Sequence, residues 1–287
     1  MGRLVLGVDA GNFMGKVAGP YGVDSYRTAI CDWFARDIKE TFAADDMEFE
    51  FEDRKGYSGT IAAYEDVIGG GAMYGSSKAH EDGKVRVLLG LYRYINRYCP
   101  GTQQVSIVTG QPVSSHKEDE KQKIVSMLQG SHEFTVNGAR QRIDIMNVAI
   151  AAEGSGAFWS NSSMGKFRII DCGSGTINCV TIIDKRHIIN ASASFNFGTE
   201  TTGKKDDLQS FARDIIRATT TLMWDPNDTV LICGGIAHGI LKYIASHYVN
   251  ASTMTPKLLQ IDGSVMGFEP VFANAVGFYE MARLTYR

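Results

Sequence analysis

Paired cysteines and long apolar runs are both missing from this sequence. The five cysteines (Cys31, Cys99, Cys172, Cys179, Cys233) are scattered, form no Cys-x-x-Cys pair and have no histidine at zinc-ligand spacing. A disulfide framework and a zinc site are therefore not expected. Cys172, Cys179 and Cys233 lie in apolar runs, where free thiols of a reducing cytoplasm are buried. No apolar run approaches the ~18 residues of a membrane span, and the mean hydropathy is −0.12. The opening Met1-Gly2-Arg3-Leu4-Val5-Leu6-Gly7-Val8-Asp9 meets an acidic residue too early for a secretory leader. The expectation is a cytoplasmic protein with no membrane contact. An excess of one charge is also absent. Lys and Arg number 29 against 32 Asp and Glu, a net charge of −3, so direct nucleic-acid binding is not expected. The six histidines and three tryptophans show no pattern, and Trp33, Trp159 and Trp224 read as packing residues.

What is present is the balance of an ordinary folded protein, 287 residues with 44% hydrophobic and 21% charged. That length suits one large domain or two small ones. Residues 3–9 read as a buried strand. A glycine-bearing turn over 10–16 follows, and Lys16-Val17-Ala18-Gly19 begins a return strand. The stretch 36–54 carries eight acids against three bases, and its Met47-Glu48-Phe49-Glu50-Phe51 alternation predicts a half-exposed strand. Gly69-Gly70-Gly71 marks a loop. Helices are expected over 80–98, 115–129, 206–223, 236–248 and about 270–284. Val105 to Thr109 reads as a strand ending in a turn. Residues 133–151 read as a hairpin turning at Asn137-Gly138.

The informative feature is an internal repeat. The run Phe167-Arg168-Ile169-Ile170-Asp171-Cys172-Gly173-Ser174-Gly175-Thr176 repeats the opening hairpin 162 positions after Asp9. In both, an apolar strand ends in Asp, then x-Gly, a small or polar residue and a return strand. Such tips let backbone N–H groups approach phosphate oxygens. A strand-end Asp can hold Mg²⁺ through water, because Mg²⁺ keeps several waters and takes few carboxylates. Lys16 could meet phosphates as a point charge. Two other readings fail. Gly11 to Val17 resembles a Walker loop but is one residue short and lacks Ser or Thr after the Lys. Gly173-Ser174-Gly175 lacks the third glycine of a dinucleotide fingerprint.

Five segments in order resemble the actin/Hsp70/sugar-kinase ATPase superfamily across nearly the whole chain. Val8-Asp9-Ala10-Gly11-Asn12 is similar to its first phosphate motif and Ile170 to Thr176 to its second. Leu231-Ile232-Cys233-Gly234-Gly235 resembles its adenosine motif. Ala151-Ala152-Glu153-Gly154 and Asn274-Ala275-Val276-Gly277-Phe278-Tyr279 resemble its two interdomain connections. The Asp-x-Gly-Asn tip, the segment Tyr74-Gly75-Ser76-Ser77-Lys78-Ala79 and the Asn274 to Tyr279 run look most like the plasmid-segregating bacterial actins of the ParM and AlfA group. The resemblance implies an α/β actin-like ATPase fold with two similar domains around a nucleotide cleft. Only 63 positions separate Asp171 from Gly234. The fourth subdomain (IIB) is therefore expected to be absent or minimal, as in AlfA-type actins. The implied division is 1–22, 80–159 and 268–287 for subdomain IA, 23–79 for IB and 160–267 for IIA.

Roles follow from the same resemblance. Asp9 and Asp171 would hold Mg²⁺, and Glu153 would orient the attacking water. Gly11, Asn12, Lys16, Gly173, Ser174, Gly175 and Thr176 would meet the phosphates. Gly234 and Gly235 would let the base and ribose lie against backbone, and Glu200 and Lys204 would approach the ribose or phosphates. The nucleotide is expected to be ATP or ADP, with GTP as the alternative. The function implied is a filament-forming, filament-stimulated ATPase that moves plasmids. Its partners would be itself, head to tail, and a DNA-binding adaptor. The alternative is a small-metabolite kinase similar to type III pantothenate kinases, for which no strong match to a substrate pocket is found.

Overall fold

The computed structural model describes residues 4–36, 41–65, 77–202 and 207–286. In the first half, β1 (Leu4–Ala10) turns back into β2 (Met14–Gly19) and β3 (Gly22–Arg27). Then come β4 (Ile30–Asp32), β5 (Met47–Phe51), β6 (Arg54–Ser58), α1 (Thr60–Glu65), α2 (Glu81–Tyr98), β7 (Gln104–Gln111) and α3 (Glu118–Leu128). β8 (Gly130–Val136) and β9 (Ala139–Ala152) form the Asn137-Gly138 hairpin and lead to α4 (Ser155–Trp159). These strands make one nine-stranded sheet in the order β3-β2-β1-β7-β9-β8-β5-β6-β4. The 14-residue β9 joins its two parts. Its first half pairs antiparallel with β8, and its second half runs parallel to β7 past a bulge at Val105/Ser106.

In the second half, β10 (Lys166–Cys172) and β11 (Ile177–Ile183) form the repeated hairpin. They are followed by β12 (Arg186–His187), β13 (Ala193–Phe195), α5 (Leu208–Thr220), β14 (Thr229–Gly234), α6 (Ala237–Ile244) and β15 (Asn250–Thr253). The sheet order is β12-β11-β10-β14-β15, with β13 also on β11. A small hairpin, β16 (Lys257–Leu259) with β17 (Val265–Gly267), precedes α7 (Ala273–Thr285). Among the described residues, everything between Gly173 and Gly234 lies in this sheet or in α5 and its connections. No further sheet is inserted there among the described residues.

The sequence repeat is a structural repeat. In each half the Asp-bearing strand pairs antiparallel with its return strand and parallel with a later strand, β1 with β2 and β7, β10 with β11 and β14. The central strands are apolar on both faces because helices cover both. Leu6 and Val8 belong to the core cluster that includes Leu88 and Leu91 of α2. On the other face α7 packs so closely that a Cβ on Gly7 would sit 2.2 Å from the Ala275 carbonyl. β5 alternates as the sequence predicts, with Met47, Phe49 and Phe51 buried and Glu50 exposed.

Some expectations need correction. Trp33 is not a packing residue: it follows the edge strand β4, is 43% exposed, and donates from Nε1 to Glu48. Trp224 is buried as expected. The last helix opens with a 3₁₀ turn, Pro270–Phe272, and α6 ends at Ile244, short of residue 248. The strands β3, β4, β6, β15, β16 and β17 were not expected, being short or lacking a long apolar run. The Gly69-Gly70-Gly71 loop lies outside the described residues. No helix among the described residues is long and apolar enough to cross a membrane.

Candidate active site

The two hairpin tips face each other. A Cβ on Gly175 would lie 4.0 Å from the Asn12 side-chain amide, so the β10–β11 tip meets the β1–β2 tip. Gly11 leaves room where a Cβ would press to 2.7 Å on the Met14 carbonyl. The tip is braced from behind: Thr28 Oγ1 donates to the Gly11 carbonyl at 2.7 Å, and Arg86 Nη1 donates to Asn12 Oδ1 at 2.9 Å. In the second tip the Gly173 amide donates to the Thr176 carbonyl. The following loop packs beneath it, with the Glu200 amide donating to the Ser174 carbonyl at 2.9 Å. That contact sets Glu200 beside the tip. Lys204 lies outside the described residues.

Three carboxylates converge beneath the tips. Asp9 and Asp171 are each the next-to-last residue of their strands, β1 and β10, and both are buried. Glu153, also buried, follows β9 at the entry to α4. Lys16 Nζ lies 3.3 Å from Asp9 Oδ2. Asn178 Nδ2 donates to Glu153 Oε2 at 3.2 Å and to Asp171 Oδ2 at 3.3 Å, linking the two acids. Asn274, on α7, donates from Nδ2 to Asp171 Oδ2 at 3.0 Å. Its Oδ1 accepts from the amides of Gly154 and Ala157 at 3.0 and 3.1 Å. One side chain thus ties α7 and the start of α4 to an acid of the second hairpin. Burial lifts the Asp171 carboxyl to about 6, Glu153 and Asp9 push the same way, and the Asn274 and Asn178 amides oppose them.

No site role is legible in the sequence for Asn178, Asn274, Arg86 or Lys78. Asn178 had a local signal, a single amide inside the apolar run Ile177 to Ile183. Lys78 had none beyond its segment, yet its ammonium pairs with Glu153 Oε1. Burial works against the Lys78 charge, but Glu153 and Asp9 outweigh it, helped by Asp171, and the pKa is raised.

Gly234 closes β14 with φ +97°, and a Cβ there would strike the Cys172 carbonyl at 2.2 Å. Gly235 is open on its Cβ side, with its nearest neighbour Val271 at 4.0 Å. The pair therefore presents bare backbone beside the second hairpin, just ahead of α6. Among the described residues no three His, Cys, Asp or Glu side chains form a metal cage. Asp9 and Asp171 instead offer the sparse carboxylate set that suits an ion completed by water and phosphate.

Comparisons with known proteins agree on the architecture. The family described as "Actin like proteins N terminal domain" matches residues 7–156. No curated protein matches the sequence. Among solved structures, an AlfA filament bound to AMPPNP superposes with a TM-score of 0.77 at 20% identity, covering 98% of this chain and 100% of the other. AlfA from a B. subtilis plasmid, also as a filament, gives 0.78 at 21% identity, with 99% and 100% covered. A 15-stranded ParM filament from Clostridium botulinum gives 0.75 at 17% identity, with 99% and 100% covered. At such identities the likeness is one of fold.

Proposed function

The chain belongs to the actin-like proteins, and from that premise we propose that it is a nucleotide-driven filament protein of plasmid segregation. The observation that carries this reading is the pair of facing tips over Asp9, Asp171 and Glu153, one tip from each half of the repeat. A nucleoside triphosphate held between two halves couples its own state to their arrangement. Assembly then responds to nucleotide to the extent that the two arrangements bind it differently. A head-to-tail contact that does not close produces an open filament. The filament form of the AlfA and ParM structures supports this reading.

In this reading the backbone and polar groups of Gly11, Asn12, Gly173, Ser174, Gly175 and Thr176 hold the phosphates, with Lys16 near them. Asp9 and Asp171 hold Mg²⁺, which would neutralise phosphate charge when bound. Glu153 orients water and accepts its proton as the bond to the terminal phosphate breaks. Phosphoryl transfer asks the protein mainly for such positioning. Gly234 and Gly235 seat the base and ribose, with Glu200 and Lys204 at the rim. The nucleotide is ATP, the AMPPNP in the AlfA filament being an ATP analogue that supports the assignment. Residues 1–22, 80–159 and 268–287 form one subdomain, 23–79 its side arm and 160–267 the second body. The protein works in the cytoplasm, and a DNA-binding adaptor links filament to plasmid.

Glu153→Ala tests the assigned chemistry. Phosphate release with Mg-ATP should fall at least tenfold while ATP-dependent pelleting persists. Loss of nucleotide binding in this variant would show that Glu153 serves the fold of the site. Phosphate transfer to pantothenate without any pellet would favour the metabolite-kinase reading.

A further inference from the structure

The least expected contact in the cleft is the ion pair between Lys78 and Glu153. Both side chains are largely covered, at 16% and 10% exposure. The other Glu153 oxygen accepts from Asn178. With one oxygen on an ammonium and the other on an amide, the carboxylate has little free surface for water.

Lys78 is held at its backbone. A Cβ on Gly83 would sit 2.4 Å from the Lys78 carbonyl, so the first turn of α2 presses against it. Ser77 Oγ donates to Glu120 Oε2 at 2.9 Å on the other side. From that anchor the side chain lines a cavity shared with Asn12, Arg86, Ala10 and Thr109, beside the first hairpin tip. The flexible four-carbon stem thus lies between Glu153 and the cavity beside the tip. Asp9, the nearest rival for the ammonium at that tip, already has Lys16 at 3.3 Å.

We propose that Lys78 is a sensor of the terminal phosphate: it holds Glu153 while that phosphate is absent and leaves it for the phosphate when a triphosphate binds. The proposal rests on the reading of the cleft as an ATP site. The terminal phosphate of a nucleotide carries roughly −1.5 to −2 charge, against −1 on a carboxylate, and offers more acceptor oxygens. The ammonium moves to the stronger partner, and Glu153 is released to accept the proton of water. Once the phosphate has left, Lys78 returns and masks the base again. The acid would thus be competent only while its substrate is present.

The test compares affinities of the full-length protein for Mg-ATP and Mg-ADP, read by fluorescent-nucleotide displacement. Lys78→Gln should weaken Mg-ATP binding tenfold or more and change Mg-ADP binding less than threefold. Lys78→Arg should keep most of the ATP preference. Because Lys78→Gln leaves the acidic cluster undercompensated, the double variant Lys78→Gln/Glu153→Gln, with the charge balance restored, is measured beside it. It should bind Mg-ADP normally and show the same lost preference for ATP. Glu153→Gln alone frees Lys78 and should bind Mg-ATP at least as tightly as the parent while failing to turn it over. An unchanged ATP-to-ADP affinity ratio in both Lys78→Gln proteins overturns the role of Lys78 alone. A parent protein that binds neither nucleotide overturns the reading of the site, and this proposal with it.

Discussion

At the residue scale, Asp171 is a cleft acid whose anionic form is disfavoured by burial. Its carboxyl is buried, and burial with the nearby Glu153 raises it from 3.8 to about 6. The fold therefore favours the protonated acid. The stability this contributes is full below about pH 4 and is lost as pH rises through 6. A shift of this size corresponds to ~3 kcal/mol at most. Asp171→Asn removes the ionisation and keeps an oxygen for Asn274 and Asn178. In thermal melts of the nucleotide-free protein it should raise Tm by ~5 °C at pH 8, with the gain shrinking toward pH 5. The same variant should bind Mg-nucleotide poorly. A lower Tm at pH 8 would contradict this account of Asp171. The two hairpin acids were legible in the sequence because a strand-end Asp before x-Gly is a local pattern that occurs twice. Lys78, Asn178 and Asn274 were not, because their meaning lies in partners 75, 25 and 103 positions away.

At the element scale, α4 and α7 carry the site. They cross at glycines: a Cβ on Gly277 would lie 1.9 Å from the Gly156 carbonyl, so the two backbones touch. Asn274 completes the crossing with three hydrogen bonds, two of them to amides at the start of α4. This short helix has no side-chain cap of its own, so Asn274 supplies the acceptor from another element. Asn274→Ala would strand two buried amides and strip a donor from Asp171. The expected loss is ~2–4 kcal/mol, read as a lower urea midpoint with an unchanged slope. A midpoint equal to that of the parent would contradict the tie. The long helices and the hairpins were readable because their periodicities are regular and their turns carry Gly or Asn-Gly. The short strands β3, β4, β6, β15, β16 and β17 were not, since three to six residues hold too few periods to declare a strand, and their neighbours decide it.

At the scale of the whole molecule, the repeat predicted in sequence reappears as two hairpin-led sheets with their tips opposed. The 63 positions between Asp171 and Gly234 leave no room for an inserted sheet, and none is seen among the described residues. Filament contacts could not be read from sequence in the same way, because an interface is a surface assembled from distant segments. The charge balance of −3 carries a consequence for function. Without a basic excess there is little counterion release to gain from DNA. Plasmid DNA alone should therefore migrate unshifted with the assembled protein at physiological salt. A shift without an adaptor would count against indirect cargo attachment.

The central claim is that a nucleotide clasped between the two tips drives assembly. Electron micrographs of the purified protein with Mg-ATP, with Mg-ADP and with neither test it most directly. Filaments are expected with Mg-ATP and should be sparse or absent in the other two. Nucleotide-saturated protein that remains monomeric at high concentration, or filaments equally abundant without nucleotide, would contradict it.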